Sequence, residues 1–207
     1  IREVGEIYMA GMSKQVDTHF QTIIELRLSQ VGALVDSVPP ASSEVDTSAL
    51  VSLTYNARAR GFDYLAFYTQ EGLFDMIYGS HVSLADPAAF QKSLSNGEGK
   101  VAVGTDAQGN DIILMGIPAA YALPGGQSCL ALVAGLPSSY IGETLSLNMD
   151  DPMINYSVIR QDGSFIIHGN GVEGENYFER IQELYDNTPE KNVQEYLKEI
   201  KTSMELN

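Results

Sequence analysis

The chain has 207 residues, with 27 Asp and Glu against 12 Lys and Arg, a formal net charge of −15. Such a surface repels phosphate backbones and anionic lipid heads, which excludes nucleic acid as a partner. With 44% hydrophobic and 19% charged residues, the composition supports a real core in one large domain or two small ones, and not a disordered chain.

The first element is the longest. Met9, Met12, Val16, Phe20, Ile23, Ile24, Leu28, Val31, Val35 and Val38 recur at steps of three and four, one apolar stripe on a helix over residues 6–38 that Pro39-Pro40 ends. Ser43 with Asp46 resembles a capping box and opens a second helix through about Arg58, with Leu50, Leu53 and Ala57 on one face, broken at Arg60-Gly61.

Strands follow. Tyr64–Thr69 and Phe74–Tyr78 flank the turn Gln70-Glu71-Gly72, a β-hairpin. Asp86-Pro87 caps a short helix that Asn96-Gly97 stops. Lys100–Gly104, Asp111–Tyr121 and Cys129–Leu136 read as three more strands, joined by turns at Gln108-Gly109-Asn110 and Pro124-Gly125-Gly126. Residues 138–150 make a linker or short helix, ending in the turn Met149-Asp150-Asp151-Pro152. A second hairpin pairs Tyr156–Arg160 with Ser164–His168 around Gln161-Asp162-Gly163, and helices follow over Tyr177–Tyr185 and Pro189–Leu206.

The two hairpins share a phrase. Residues 68–79 read YTQEGLFDMIYG and residues 159–169 read IRQDGSFIIHG, ninety-one positions apart in register. A Gln-acid-Gly turn alone is common, but the matching flanks and a helix after each copy point to a duplicated module. The first copy carries five expected strands. The second shows two strands and helices, and the strands that would complete its sheet are absent from this sequence.

The rod YMAGMSKQVDTHFQTIIELRLSQVGALVDSV, the blocks FDYLAFYTQEGLFDMIYG and CLALVAGLPSSYI, and INYSVIRQDGSFIIHGNG with NYFERI after it resemble a double Cache (dCache) domain. These are extracytoplasmic sensor portions of bacterial transmembrane receptors, closest here to those ahead of histidine kinase or diguanylate cyclase outputs. The resemblance implies an α+β fold: a long N-terminal stalk helix (1–40), a membrane-distal PAS-like antiparallel-sheet module (41–147) and a truncated membrane-proximal one (148–207). It implies a small-molecule ligand in the distal module, a stalk that rises from the membrane and can pair with a second copy, and no catalysis in the sensor itself. A structural or protein-interaction module of a cell-surface protein is the alternative, and a small secreted hydrolase a third reading. No apolar run approaches the roughly 20 residues needed to span a bilayer, and there is no basic-then-apolar leader. The abrupt start at Ile1 suggests a segment of a longer, membrane-anchored protein.

One departure from the family is specific. Many dCache domains hold amino acids with an Arg, a Trp and a Tyr on the short distal helix and an Asp at the end of the last distal strand. Here that helix is DPAAFQKSL, with Phe90 its only aromatic, and the strand ends Val133-Ala134-Gly135-Leu136. A buried α-amino acid needs charged partners, and that set is missing.

No catalytic, cofactor or metal set emerges. There is no Gly-x-Ser-x-Gly, and Ser138-Ser139 follow a proline. His19, His81 and His168 lie in different elements without zinc spacing. Asp106–Asp111 lacks the distal Glu of a calcium loop, and Gly169-Asn170-Gly171 is too short for a phosphate loop. Cys129, the lone cysteine, reads as a buried hydrophobe. What remains is a pocket: the distal sheet offers Tyr64, Phe67, Tyr68, Tyr78, Met115 and Tyr121, with His81 and Phe90 near the covering segment. Of these, Tyr64, Phe67, Tyr78, His81, Phe90, Met115 and Tyr121 are the expected ligand contacts, on the ground that small-molecule sites are mostly apolar with a few convergent polar groups.

Overall fold

A computed structural model describes residues 2–41, 43–145, 157–167, 174, 176–186, 197–198, 200–202 and 204. It contains two compact units, Ile1–Leu145 and Ser146–Asn207.

The first unit opens with helix α1, Arg2–Ser37, 36 residues long and so about 54 Å at 1.5 Å per residue. Ile23, Val31 and Leu34 are buried and Phe20, Ile24, Leu28, Val35 and Val38 half-buried, so the expected stripe packs on the protein's own sheet along the second part of the helix. Helix α2, Thr47–Ala59, is capped by Asp46, whose carboxylate accepts from the Ala49 N–H at 2.8 Å. The cap is thus Asp46 itself, not Ser43, and the helix starts there because a carboxylate satisfies an otherwise orphan N–H and favours the positive end of the helix.

The sheet runs β2 (Phe74–Tyr78), β1 (Tyr64–Thr69), β7 (Gln127–Pro137), β5 (Asp111–Pro118), β4 (Lys100–Asp106), β3 (Val82–Leu84). Every pairing along it is antiparallel. β6, Ala122–Leu123, pairs with the start of β7. β3 and β6 go beyond the five expected strands. Both are too short to show a period of two, and β3 is only the edge that follows the Gly79-Ser80 bend. β5 ends at Pro118 rather than Tyr121, where the missing proline N–H interrupts the ladder.

Central strand β1 is buried along its whole length, because both faces of the sheet are covered. Tyr64, Ala66, Tyr68, Leu114, Ala131 and Val133 join Phe90 and Leu94 of helix α3 (Pro87–Ser95) in one core layer. The alternate residues Leu65, Phe67, Ile113, Met115 and Leu132, all buried, face the other way, toward α1 and α2. Full burial of each large apolar side chain contributes about 1.5–3 kcal/mol. Helix α4, Ser138–Thr144, continues from β7.

The second unit holds the hairpin β8 (Val158–Ile159) and β9 (Phe165–Ile167) and helix α5 (Tyr177–Asp186), whose first turn is capped by Asn176 accepting from Phe178 N–H at 2.9 Å. Leu197, Lys198, Ile200, Lys201, Thr202 and Met204 are helical. Tyr156, His168, Gly169-Asn170-Gly171, Val193 and the turn at 149–152 lie outside the described residues.

The repeated phrase has one backbone form. In the first copy the Thr69 N–H donates to Leu73 O at 2.8 Å and the Gly72 N–H to Thr69 O at 3.1 Å; in the second the Arg160 N–H donates to Ser164 O at 2.8 Å and the Gly163 N–H to Arg160 O at 2.9 Å. Gly72 and Gly163 sit at φ of 79° and 87°, the left-handed position that closes such a turn and that glycine takes without steric cost.

Candidate functional site

The sheet divides the seven expected contacts. Tyr64 and Phe90 lie in the layer under α3. Phe67, Met115 and Tyr121 lie under α1 and α2: the Phe67 and Tyr121 rings are 5.2 Å apart, and the Tyr121 hydroxyl donates to Val38 O at the end of α1 at 2.5 Å. Tyr78 donates to Phe62 O at 2.9 Å, and the Arg58 guanidinium stacks over its ring at 4.7 Å. His81 is exposed, in the bend before β3. These side chains therefore do not line one shared cavity.

In the α3 layer the aromatic rings converge. Phe74 meets Tyr64 at 6.0 Å and Tyr68 at 4.9 Å, and Tyr68 meets Phe90 at 5.3 Å. Tyr64 is 1% and Tyr68 0% exposed, yet neither hydroxyl has a hydrogen-bond partner among the described residues. Burying a hydroxyl without a partner costs about 1–3 kcal/mol. Burial also pushes both phenols up, Tyr64 well above its usual range, so they remain protonated donors. The Tyr68 hydroxyl lies beside the β1–β2 turn and α3: a methyl group at Gly72 would sit 3.4 Å from it and 3.2 Å from Gln91 Oε1. Gln91 itself donates to Gln70 O at 2.8 Å, tying α3 to that turn. On the opposite side, a methyl group at Gly116 would meet Phe90 at 2.9 Å and Leu94 at 3.1 Å, so α3 rests directly on the β5 backbone.

Beside Tyr64, at one end of the sheet, lies a cleft of about 530 Å³ whose lining includes Tyr64, Ile112 and Gly135, with Asp63, Asp106, Asn110, Asp111, Ser80, Ser138 and Ser139. Asp106 is held as a carboxylate by its own turn. The Asn110 side chain donates to it at 3.0 Å and the Asn110 and Gln108 N–H groups at 2.8 and 2.9 Å, and its pKa lies below the usual range because of those bonds. Among the described residues the cleft lining contains no Lys or Arg. Sequence reasoning missed Gln91 and these acids, since only folding brings residues 63, 106 and 111 to one rim.

Two further features belong to the α1 side. Cys129 is buried; its thiol donates to Ala119 O at 2.9 Å and accepts from the Tyr121 N–H at 3.3 Å. Burial pushes it up to about 11, so it is an inert thiol. Arg27 of α1 donates to Arg60 O at 2.6 Å, to Gln30 Oε1 at 3.0 Å and to the Tyr140 hydroxyl, with its guanidinium 4.5 Å from the Tyr140 ring centre. One cation thereby joins α1, the end of α2 and α4. No group of three or more potential metal ligands occurs among the described residues, and no described helix is long and apolar enough to cross a membrane.

No known protein family's sequence profile matches the chain, and no curated protein matches it. Solved structures do. The ligand-binding domain of the Pseudomonas aeruginosa PAO1 amino acid chemoreceptor PctC, in complex with GABA, has a TM-score of 0.59 at 17% identity, covering 80% of this chain and 77% of that one. The ligand-binding domain of PctB from the same organism, in complex with L-Gln, has a TM-score of 0.59 at 15% identity, covering 87% and 74%. An extracellular ligand binding receptor from Desulfohalobium retbaense has a TM-score of 0.55 at 14% identity, covering 82% of this chain and 33% of that one. Identities this low speak for the fold alone. The chain has the α+β, PAS-like Cache fold of these ligand-binding domains.

Proposed function

We propose that this chain is the extracytoplasmic ligand-sensing domain of a bacterial membrane receptor, that it performs no chemistry of its own, and that its ligand enters the layer between the sheet and α3 through the Tyr64 cleft. The observation that carries this reading is the pair of buried phenols, Tyr64 and Tyr68, without partners among the described residues. A ligand that accepts from them removes a cost that the empty domain bears. Solved chemoreceptor domains of this fold hold GABA and L-Gln. In this chain the cleft carries Asp63, Asp106 and Asp111 and, among the described residues, no basic one. The ligand is therefore a small molecule without a carboxylate, neutral or amine-bearing, whose apolar body lies against Ile112 and whose acceptor atom takes the Tyr64 hydroxyl.

Signalling follows from packing. α4 continues from β7, its Ser138 and Ser139 line the cleft, and its Tyr140 holds Arg27 of α1. A ligand that fits one position of α4 better than another biases the stalk by that difference in affinity and no more. The output is then a cytoplasmic kinase or cyclase.

A thermal-shift screen of neutral and amine-bearing metabolites against free amino acids tests this. The expected result is a stabilising amine or neutral compound whose shift is lost in Tyr64→Phe while the variant stays folded. Stabilisation by an α-amino acid that survives Tyr64→Phe and Tyr68→Phe would overturn the assignment.

A further inference from the structure

The opposite face of the sheet carries a second opening, away from the Tyr64 cleft. It is a groove of about 550 Å³ between α2, β2 and β6, lined mainly by apolar side chains, with Phe67 in its lining. Val51 is 62% exposed, Tyr55 74% and Met76 37%; these are three of the five exposed large hydrophobic residues of the described chain. Val51, Tyr55 and Arg58 stand at i, i+4 and i+7 on α2 and so share one face. The Arg58 side chain makes no hydrogen bond or ion pair with any described residue; its guanidinium lies over the Tyr78 ring at 4.7 Å, a contact that orients it without using its donors. The groove's carboxylate, Asp75, sits three residues before Tyr78 on β2, about 10 Å along the strand, at the other end.

We infer that this groove is a second ligand site, for a small amphipathic carboxylate whose hydrocarbon body lies across Leu50, Val51 and Tyr55 and whose head pairs with Arg58. Charge complementarity names the head group: in a chain with 27 acidic and 12 basic residues, an oriented cation with no ion-pair partner among the described residues, at the edge of an apolar trough, fits a carboxylate in bidentate contact. Size argues for a small molecule over a macromolecule. Val51 to Arg58 spans about 10 Å of helix, whereas a stable protein interface buries roughly 800 Å² per partner. The site is independent of the α3-side ligand.

The test is an NMR titration of the full chain with octanoate, octylammonium and octanol. Octanoate is expected to bind about tenfold more tightly than the other two, one charge-assisted contact's worth of discrimination, with shifts centred on Leu50, Val51 and Tyr55. Arg58→Gln should erase the preference, and Arg58→Lys should keep part of it. Val51→Asp, at an exposed position that tolerates charge, should abolish binding. The inference is overturned if the three probes bind alike, if Arg58→Gln leaves the preference intact, or if the shifts centre on Tyr64 and Tyr68. Absence of octanoate binding, with self-association that Val51→Asp removes, would overturn it in favour of a second copy of the chain. Tyr64→Phe should leave octanoate binding unchanged, so failure here and failure of the α3-side reading are told apart.

Discussion

Tyr64 and Tyr68 each carry a buried hydroxyl without a hydrogen-bond partner among the described residues. In the ligand-free domain such a group is a liability, so Tyr64→Phe and Tyr68→Phe should each leave stability unchanged or raise it by up to about 1 kcal/mol, read as an upward shift of the unfolding midpoint. The usual cost of trimming a buried tyrosine would instead show that these hydroxyls already have partners. Arg27 is the contrasting case. It satisfies the Arg60 carbonyl and the Tyr140 hydroxyl together, and Arg27→Met keeps the aliphatic stem while removing every donor. We expect a loss of about 1–3 kcal/mol, measurable by urea denaturation, because the carbonyl is left without its partner. Phe67 shows what sequence alone could not decide at this scale. It belongs to the same aromatic run as Tyr64 and Tyr68, but the pleat turns it to the other face, against Tyr121.

At the scale of elements, the two Gln-acid-Gly hairpins were legible because their turn chemistry is local. The glycine at the left-handed position is the same residue type in both copies for the same backbone reason, φ of 79° at Gly72 and 87° at Gly163. Their surroundings differ. A methyl group at Gly72 approaches Gln91 Oε1 at 3.2 Å, a side-chain end, whereas one at Gly163 would lie 2.4 Å from the Phe178 ring. Gly72→Ala should therefore cost about 1 kcal/mol, the left-handed penalty by itself, and Gly163→Ala distinctly more, with loss of the α5 packing. Thermal denaturation of the two variants checks the ranking. Where the chain carries no such local instruction, the structure departs from the expectation: β3 adds a strand, and α2 starts at the Asp46 cap rather than at Ser43.

For the whole molecule, buried weak acids set the alkaline limit. Burial raises Tyr78 and Tyr121 to about 12 and Cys129 to about 11, and raises Tyr64 and Tyr68, against unfolded values of about 10 for tyrosine and about 8.5 for cysteine. A group raised on folding contributes stability that is whole below its unfolded value and is lost as pH rises through the folded one. The unfolding midpoint should hold steady to about pH 8 and fall progressively between about pH 9 and 12. Circular-dichroism melts across that interval test it, and Cys129→Ser or Cys129→Ala should remove the earliest part of the fall. At the acid end, Asp106 and Asp162 lie below their usual range through hydrogen bonds within their own turns. Their contribution is present above about pH 4 and is lost below it, and it is small because both groups are exposed.

By itself, the sequence determined the long N-terminal helix, the five main strands of the sheet, the twice-used hairpin and the strongly acidic charge, because periodicity, turn residues and composition act over a few residues. It also showed that α3 carries Phe90 as its only aromatic and no Arg. Only the tertiary structure decided which aromatics share a face. β1 is sandwiched between helices on both sides, so YLAFYT is buried throughout, apolar or aromatic up to Thr69, and carries no alternation to assign Tyr64 and Phe67 to opposite layers. Burial on both faces erases the very pattern from which a face is read, and strand pairing across sixty or more residues, as between β1 and β7, is what restores it.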